Sequence, residues 1–120
     1  MIALRAENPA RGSVLGTRIL LADRWWTRLR GLIGRAGLQR GEGLILRPCR
    51  AVHMAWMWFP LDVAFLDKRG TVVASYAALA PGGRTRWHAE AVDALELPAG
   101  TLAATGTLNG DTIVYTEVNS

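Results

Sequence analysis

The residues best suited to chemistry in this sequence are arginines and tryptophans that fall in two separate stretches of the chain. They are Arg47, Arg50, Trp56, Arg84, Arg86 and Trp87. A guanidinium group can grip a phosphate or carboxylate with two parallel hydrogen bonds, and an indole ring can stack on a flat ligand or a cation. If the two stretches meet in space, they form a binding site for an anionic or ring-bearing partner.

The charge pattern is compatible with such a partner and also with a simpler explanation. Residues 1–58 hold ten Arg and three acidic residues, whereas residues 59–120 hold four basic and seven acidic residues. An Arg-rich half suits an anionic small molecule or polymer. The alternative is that biased composition scatters solvated arginines over the surface while the tryptophans fill the core. No known nucleic-acid-binding motif is present.

Cys49 is the second candidate for chemistry because a thiolate is a strong nucleophile. Arg47 and Arg50 would favour the thiolate form, and His53 or His88 would serve as the base. The alternative is that a lone cysteine behaves as a small buried hydrophobic residue. Comparing the rate of alkylation by iodoacetamide with that of an ordinary thiol separates the two interpretations.

A metal site is the third candidate, since Cys49, His53 and Met57 are spaced by four residues. Thiolate, imidazole and thioether together suit copper. On a strand, however, successive members of this set lie about 13 Å apart. On a helix the outer pair would still be about 12 Å apart. We therefore predict neither a metal ion nor another cofactor.

Two acidic residues fall inside apolar segments, where a carboxylate is costly unless it is paired. Asp62 is predicted to form an ion pair, with Arg28 or Arg30, or to cap backbone amides; its catalytic alternative is a general base. Glu96 alternates with Leu95 and Leu97, so it points away from them, either into solvent or into a cleft.

The elements that must position these residues are mostly strands. They are predicted over residues 14–21, 44–46, 61–66, 71–79, 91–97 and 112–115, with the aromatic stretch 53–59 as a further candidate. Gly70 should close a hairpin turn at positive φ. A short helix is predicted after Asp23, where Trp25, Trp26 and Leu29 recur at helical spacing, and one helical turn over 101–105. The predicted fold is mainly β (α+β): a small antiparallel β-barrel-like domain with one short N-terminal helix.

Length and cysteine content narrow the class of protein. The chain of 120 residues, with 50% hydrophobic residues, is expected to form one domain over 1–120 without disulfides or structural metal. Its N-terminus does not look like a secretory signal, and the longest apolar run, residues 52–61, is too short for a membrane span. We expect a cytoplasmic protein, of an oligomeric state that the sequence leaves open.

Several ordered blocks resemble the family known as domain of unknown function 192. The blocks are residues 28–35 with 41–44, residues 57–67, residues 95–100 and residues 109–111, and the stretch 49–53 is similar to a common variant. The resemblance as a whole extends over residues 14–116. The resemblance implies a compact β-rich domain and no particular activity.

Three functions remain in competition. The first is a non-catalytic binding or accessory domain that uses the arginines and tryptophans, with binding that weakens in salt. The second is a small enzyme that uses Cys49, His53 or Asp62. The third is a structural subunit whose interface is the Trp-rich segment 52–61, which persistence as a monomer at high concentration would argue against.

Overall fold

The computed structural model describes residues 2–22, 37–55 and 57–118. Its elements follow one another along the chain as β1 (Ala3–Asn8), a 3-10 turn (Pro9–Arg11), β2 (Ser13–Ala22), β3 (Glu42–Leu46), β4 (Leu61–Leu66), β5 (Val72–Leu79), β6 (Asp93–Pro98), α1 (Thr101–Thr105) and β7 (Val114–Glu117). The prediction of a mainly β protein is confirmed.

The strands form one mixed sheet in the order β5-β4-β6-β3-β2-β1-β7. All neighbours are antiparallel except β2 and β3, which run parallel. Residues 23–41 connect those two strands, and parallel pairing requires such a long crossover connection. The sheet, which was predicted to be antiparallel, is therefore mixed, with one parallel pair among its strands.

The predicted barrel is also corrected, because the sheet is not closed. The strands β5 and β7 are its edges. The segment before β7 contacts the start of β5 through the isolated bridge between Thr71 and Thr112 and through backbone hydrogen bonds of Val72 with Gly110 and Asp111. The whole of β7 pairs with β1 instead, from Val114 opposite Glu7 to Glu117 opposite Leu4. With β7 committed to β1, only the segment before it can reach β5.

The described α-helix, α1, lies toward the C-terminal end of the chain rather than near the N-terminus, where the main helix was predicted. The single helical turn predicted over 101–105 matches it. The segment predicted to hold the N-terminal helix, residues 23–36, lies outside the described residues. No helix in the described residues is long and apolar enough to cross a lipid bilayer.

Two hydrophobic clusters cover opposite faces of the central sheet. The first cluster includes Ile19, Leu66 and Leu95 and is closed at one end by Leu102 of α1. The second cluster includes Leu44 and Phe65. Because both faces of β4 and β6 are covered, these strands are buried over nearly their whole length, including their acidic residues Asp62, Asp93 and Glu96.

Three local predictions can be compared with the observed chain. Gly70 has φ of +82°, as the predicted turn requires, and a Cβ there would meet the carbonyl oxygen of Ile113 at 2.7 Å. The described residues of the stretch 53–59 contain only an isolated bridge at His53, so the further strand considered there is wrong. The strand β1 was not predicted, although Leu4 and Ala6 alternate with Arg5 and Glu7 as in a half-buried strand.

Candidate functional site

Two loop segments lie side by side over the second cluster: residues 50–54 and residues 83–88. They run antiparallel and are joined by backbone hydrogen bonds. These are Met54 N to Gly83 O at 2.7 Å, Thr85 N to Val52 O at 2.9 Å, and His88 N to Arg50 O at 2.8 Å. The two stretches that hold the arginines and Trp87 therefore meet in space.

Side chains alternate along these paired segments. Val52 and Met54 are buried in the second cluster, whereas His53 is exposed. His53 faces Arg84 in an isolated antiparallel bridge of the type without direct hydrogen bonds between the two residues, where side chains come closest. Arg84 and Arg86 are both exposed and are separated by the half-buried Thr85.

Arg50 and Trp87 form a stacked pair at one end of this pairing. The Arg50 guanidinium carbon lies 5.9 Å from the centre of the Trp87 ring, within the range of a cation–π contact. Arg50 Nε also donates to the carbonyl oxygen of Ala89 at 3.2 Å. The Trp87 side chain remains 68% exposed, so most of its ring is available to a ligand.

The result is an exposed basic surface, here called the Arg–Trp surface: Arg50, His53, Arg84, Arg86 and Trp87. Within the described residues, none of its three guanidinium groups has a carboxylate within ion-pair distance. Glu90 is the nearest acidic residue along the chain, and it is exposed. The surface therefore carries positive charge that the described protein leaves uncompensated.

His88 belongs to the same segment and packs against residues of the sheet. Its Nε2 lies 2.8 Å from the Tyr76 hydroxyl, and its ring centre lies 4.7 Å from that of Phe65. Burial and the nearby Arg86 charge both lower the pKa of His88. The backbone N–H of Arg86 donates to the Tyr76 hydroxyl at 3.3 Å. The Tyr76 hydroxyl thus contacts both the His88 ring and the backbone of Arg86, and these two hydrogen bonds hold the loop bearing Arg86 against β5.

The remaining two residues of the predicted binding site are placed differently. Arg47 forms a bidentate ion pair with Asp93, with Nε–Oδ1 at 2.6 Å and Nη2–Oδ2 at 2.8 Å. It lies at the end of β3, near Tyr115 of the first cluster, so it is not part of the Arg–Trp surface. Trp56 lies outside the described residues. Trp58, which the prediction did not include, is 75% exposed.

Cys49 and His53, the candidate nucleophile and base, differ in environment. Cys49 is half-buried against the second cluster, and its Sγ donates to the carbonyl oxygen of Ala51 at 3.1 Å. His53 points outward beside Arg84. Among the described residues, no three His, Cys, Asp or Glu side chains are grouped so that they could hold a metal ion.

Asp62, the candidate general base, is buried and its carboxylate is used by the backbone. Oδ1 accepts the N–H of Ala78 at 2.8 Å, and Oδ2 accepts those of Gly100 at 3.1 Å and Leu102 at 2.8 Å. The last two amides belong to the start of α1. Of the alternatives from sequence, the cap on backbone amides is the one that the geometry shows.

Glu96 is the residue whose surroundings sequence alternation left open. It is only 4% exposed and points to the second face, and burial raises its pKa to about 7. Its neighbours across the sheet are Leu44 and Val63. No local signal marked Glu96 as buried, because its strand also contains the acidic Asp93 and alternation holds whether this face meets solvent or a second core layer.

A model of a family without known function, DUF192, described as Uncharacterized ACR, matches residues 6–115. No curated protein sequence matches the chain.

Two crystal structures are similar in fold. One is a candidate transcription regulator from Sinorhizobium meliloti 1021, with 24% identity and a TM-score of 0.78 over 95% of this chain and 92% of that one. The other is a protein of unknown function from Novosphingobium aromaticivorans DSM 12444, with 24% identity and a TM-score of 0.79 over 93% of this chain and 83% of that one. Since the family model takes in nearly the whole chain, the resemblance inferred from the motif blocks is confirmed, and the protein belongs to the DUF192 family.

Proposed function

We propose that this protein is a non-catalytic binding domain that recognises an anionic partner through the Arg–Trp surface. The observation that carries the proposal is the presence of three exposed guanidinium groups, unpaired with any described carboxylate, on two paired segments that also present the Trp87 ring, which is 68% exposed. Surface charges of one sign gathered without compensation favour an oppositely charged partner and increase its rate of association.

The arrangement suits an anion that also carries a flat group. Arg84 and Arg86 present planar forks that can each grip a phosphate, sulfate or carboxylate with two hydrogen bonds. Trp87 offers a stacking face, and the Arg50 contact at 5.9 Å holds its ring in place before binding. A side chain that is already held loses less conformational freedom on association.

The competing catalytic interpretation receives less support from the geometry. All three of the hydrogen bonds made by the Asp62 carboxylate are to backbone amides, which is the pattern of a structural cap. The Cys49 thiol is half-buried and donates to a backbone carbonyl. A reactive thiol is instead expected to be accessible and electropositive in its surroundings.

The nature of the anion is the part that an experiment must supply. The candidate transcription regulator with the same fold is 24% identical, which relates the folds alone. The description of that protein as a transcription regulator makes a nucleic acid a useful probe here. The other useful probes are heparin, as a sulfated polymer without aromatic rings, and free nucleotides, as small anions with a ring.

The test is a tryptophan-fluorescence titration with a single-stranded oligonucleotide, heparin and nucleotides at low and high salt, since the chain has five tryptophans. We expect saturable binding that weakens with salt. Arg84→Ala with Arg86→Ala should reduce the slope of log K against log salt by roughly 1.4 for a single strand, about 0.7 per lost phosphate contact.

The matched control is Arg18→Ala with Arg40→Ala, which removes the same charge from two exposed positions away from the Arg–Trp surface. It should leave the slope unchanged. A flat response to all probes contradicts the proposal, as does an equal loss of binding in the two double variants. The latter would indicate attraction to net charge rather than to this surface.

A further inference from the structure

The sheet ends at β7 with backbone groups that have no partner strand. Val118 N donates to the carbonyl oxygen of Ala3 in β1 at 3.0 Å. Because backbone groups alternate between the two sides of a strand, those of Thr116 also face β1, whereas those of Tyr115 and Glu117 face away from it. No residue in the described part of the chain pairs with this outer side of β7.

The opposite edge of the sheet, β5, is protected in two ways that β7 lacks. The register of β5 with β4 shifts twice, and the outward N–H and C=O of Val72 are bonded to Asp111 and Gly110. Bulges and covering loops keep an edge strand from pairing with another chain. The pairing of β7 with β1 has no shift, and β7 contains no proline. The edge at β7 is therefore suited to accept a further strand.

The exposed side chains of β7 fit a second copy of the same strand. Val114, Thr116 and Val118 lie on one face and are exposed, whereas Tyr115 packs against the first cluster on the other face. In an antiparallel pair with its two-fold axis at Thr116, each Val114 lies opposite Val118 of the other copy. Tyr115 and Glu117 then form the hydrogen-bonded pairs for which their outward backbone groups are placed.

This register fits better than its neighbours. A two-fold axis at Tyr115 would place each Val114 opposite Thr116 and leave Val118, which is 38% exposed, without an apolar neighbour. An axis at Glu117 would place two carboxylates directly opposite each other, which is destabilising. The exposed valines and the single charge of β7 therefore both favour the axis at Thr116.

The charge beside this edge is complementary to Glu117 of a second copy. The β4–β5 turn, residues 67–70, lies on the outer side of the chain just before β7, where its last carbonyl accepts from Ile113 N at 2.9 Å. The turn carries Lys68 and Arg69, which are exposed and have no carboxylate within ion-pair distance among the described residues. Both line a groove that also reaches Tyr115. Since Glu117 of the second copy lies opposite Tyr115, its carboxylate approaches these two cations.

We propose that two copies of this chain associate through β7, as an antiparallel strand pair with its two-fold axis at Thr116, so that the two sheets become continuous. Such an interface is self-complementary, as two-fold symmetry requires. Each copy contributes only the short strand Val114–Glu117 and its flanks. The buried area is therefore below the roughly 1,200 Å² of stable complexes, and we expect weak, reversible association. The interface does not involve the Arg–Trp surface.

The first test is sedimentation velocity of the whole chain from micromolar to millimolar concentration. The wild type should form dimers as the concentration rises. Thr116→Lys places two like charges opposite each other at an exposed position, so it should weaken the association about fivefold or more. Thr116→Glu should do the same, and an equimolar mixture of the two variants should dimerise again. The matched control is Ala77→Lys, at an exposed position of β5, which should associate like the wild type.

The second test traps the register by a disulfide. Residues opposite each other in a pair without direct hydrogen bonds have Cα atoms about 4.5 Å apart, within the range that a disulfide can bridge. In a Cys49→Ser background, Thr116→Cys should therefore cross-link two chains under air oxidation. Ala77→Cys in the same background is the control and should cross-link far less.

Four results would overturn the proposal. One is a wild-type chain that remains monomeric up to millimolar concentration. Another is equal association of the wild type and Thr116→Lys, which would assign the dimer to a different surface, such as the segment 52–61. The third is a mixture of Thr116→Lys and Thr116→Glu that associates no better than either variant alone. The fourth is equal cross-linking of Thr116→Cys and Ala77→Cys.

Discussion

Glu96 shows how one residue can make the stability of this protein depend on pH. Its carboxyl lies in the middle of the sheet, in register with Leu44 on one side and Val63 on the other. Moving an ionised carboxylate into such surroundings is costly, so the group holds its proton to about pH 7. The chemical consequence is a carboxyl that changes charge near neutrality.

The first prediction concerns the sign of this effect. Because the folded pKa lies above the ordinary value of 4.5, the unfolded chain releases its proton first. Wild-type stability should therefore fall as pH rises from about 4.5 to above 7, by on the order of 3 kcal/mol from this group. The free energy of unfolding of Glu96→Gln should lack this pH-dependent decrease. Relative to the wild type, the variant should therefore be more stable at pH 8 than at pH 4.

Urea unfolding of both proteins at those two pH values measures the difference. Glu90→Gln is the matched control, because Glu90 is exposed and its removal should change stability equally little at either pH. A gain by Glu96→Gln that is the same at pH 4 and pH 8 would mean that the Glu96 carboxyl does not titrate in this range.

At the scale of elements, Asp62 joins three of them. It lies in β4, its Oδ1 accepts from Ala78 in β5, and its Oδ2 accepts from Gly100 and Leu102 at the start of α1. Ala78 has φ of +48°, an unfavourable conformation for a residue with a side chain. The hydrogen bond from its N–H helps to hold that backbone.

The second prediction is that Asp62→Asn destabilises the protein by roughly 3 kcal/mol. The amide has one acceptor oxygen, so its NH₂ group must face backbone N–H donors on one side, and at least one buried donor is left unpaired. Hydrogen exchange should become faster at Gly100 and Leu102, the amides that α1 directs at the carboxylate.

Asp67→Asn is the control for this change. Asp67 also accepts two backbone amides, but both bind the same oxygen, Oδ1, which asparagine retains. Asp67→Asn should therefore lower the free energy of unfolding by about 1 kcal/mol or less. Equal costs for the two variants would show that the two-sided acceptor role of Asp62 is unimportant.

At the scale of the whole molecule, Asp111 ties the beginning of the chain to its end. It accepts from Arg11 through two contacts of 3.0 and 3.1 Å and from Asn8 Nδ2 at 3.0 Å. The N–H of Leu108 donates to it as well. These hydrogen bonds, first of all those from Arg11, hold the pKa of Asp111 well below its usual range.

The third prediction follows from that direction. A lowered carboxyl pKa contributes stability above the ordinary value of 3.8 and loses it as pH falls through the folded value. Arg11→Gln should raise the pKa of Asp111 and destabilise the protein at pH 7, and the difference from the wild type should shrink in acid. Acid titration of unfolding, with the Asp111 carboxyl followed by NMR, measures both.

Arg5→Gln is the matched control, because Arg5 pairs with Glu7 on an exposed part of β1. Exposed ion pairs contribute little to stability. If Arg11→Gln and Arg5→Gln lower the free energy of unfolding equally at pH 7, the hydrogen bonds between Arg11 and Asp111 do not contribute the expected stability.

Local patterns in the sequence were enough to predict many of the strands and turns. The apolar residues on either side of Asp62 predicted the bounds of β4, and the turn that ends at Gly70 predicted the positive φ of this glycine, because each depends on neighbours along the chain. The motif blocks indicated the family. The interpretations of Asp62 included the cap on backbone amides that the structure shows, since a carboxylate inside an apolar strand must find hydrogen-bond donors.

The features that could not be predicted depend on contacts between residues that are far apart in the sequence. Sequence alone could not separate Arg47, held by Asp93 at one end of the sheet, from Arg50, stacked on Trp87 over its second face. It could not tell that Glu96 is buried, since only the layer packed on the second face removes water from it. Strand order, the open edges of the sheet and the juxtaposition of Arg50 with Trp87 depend on contacts between residues distant along the chain, for which local propensities carry no information.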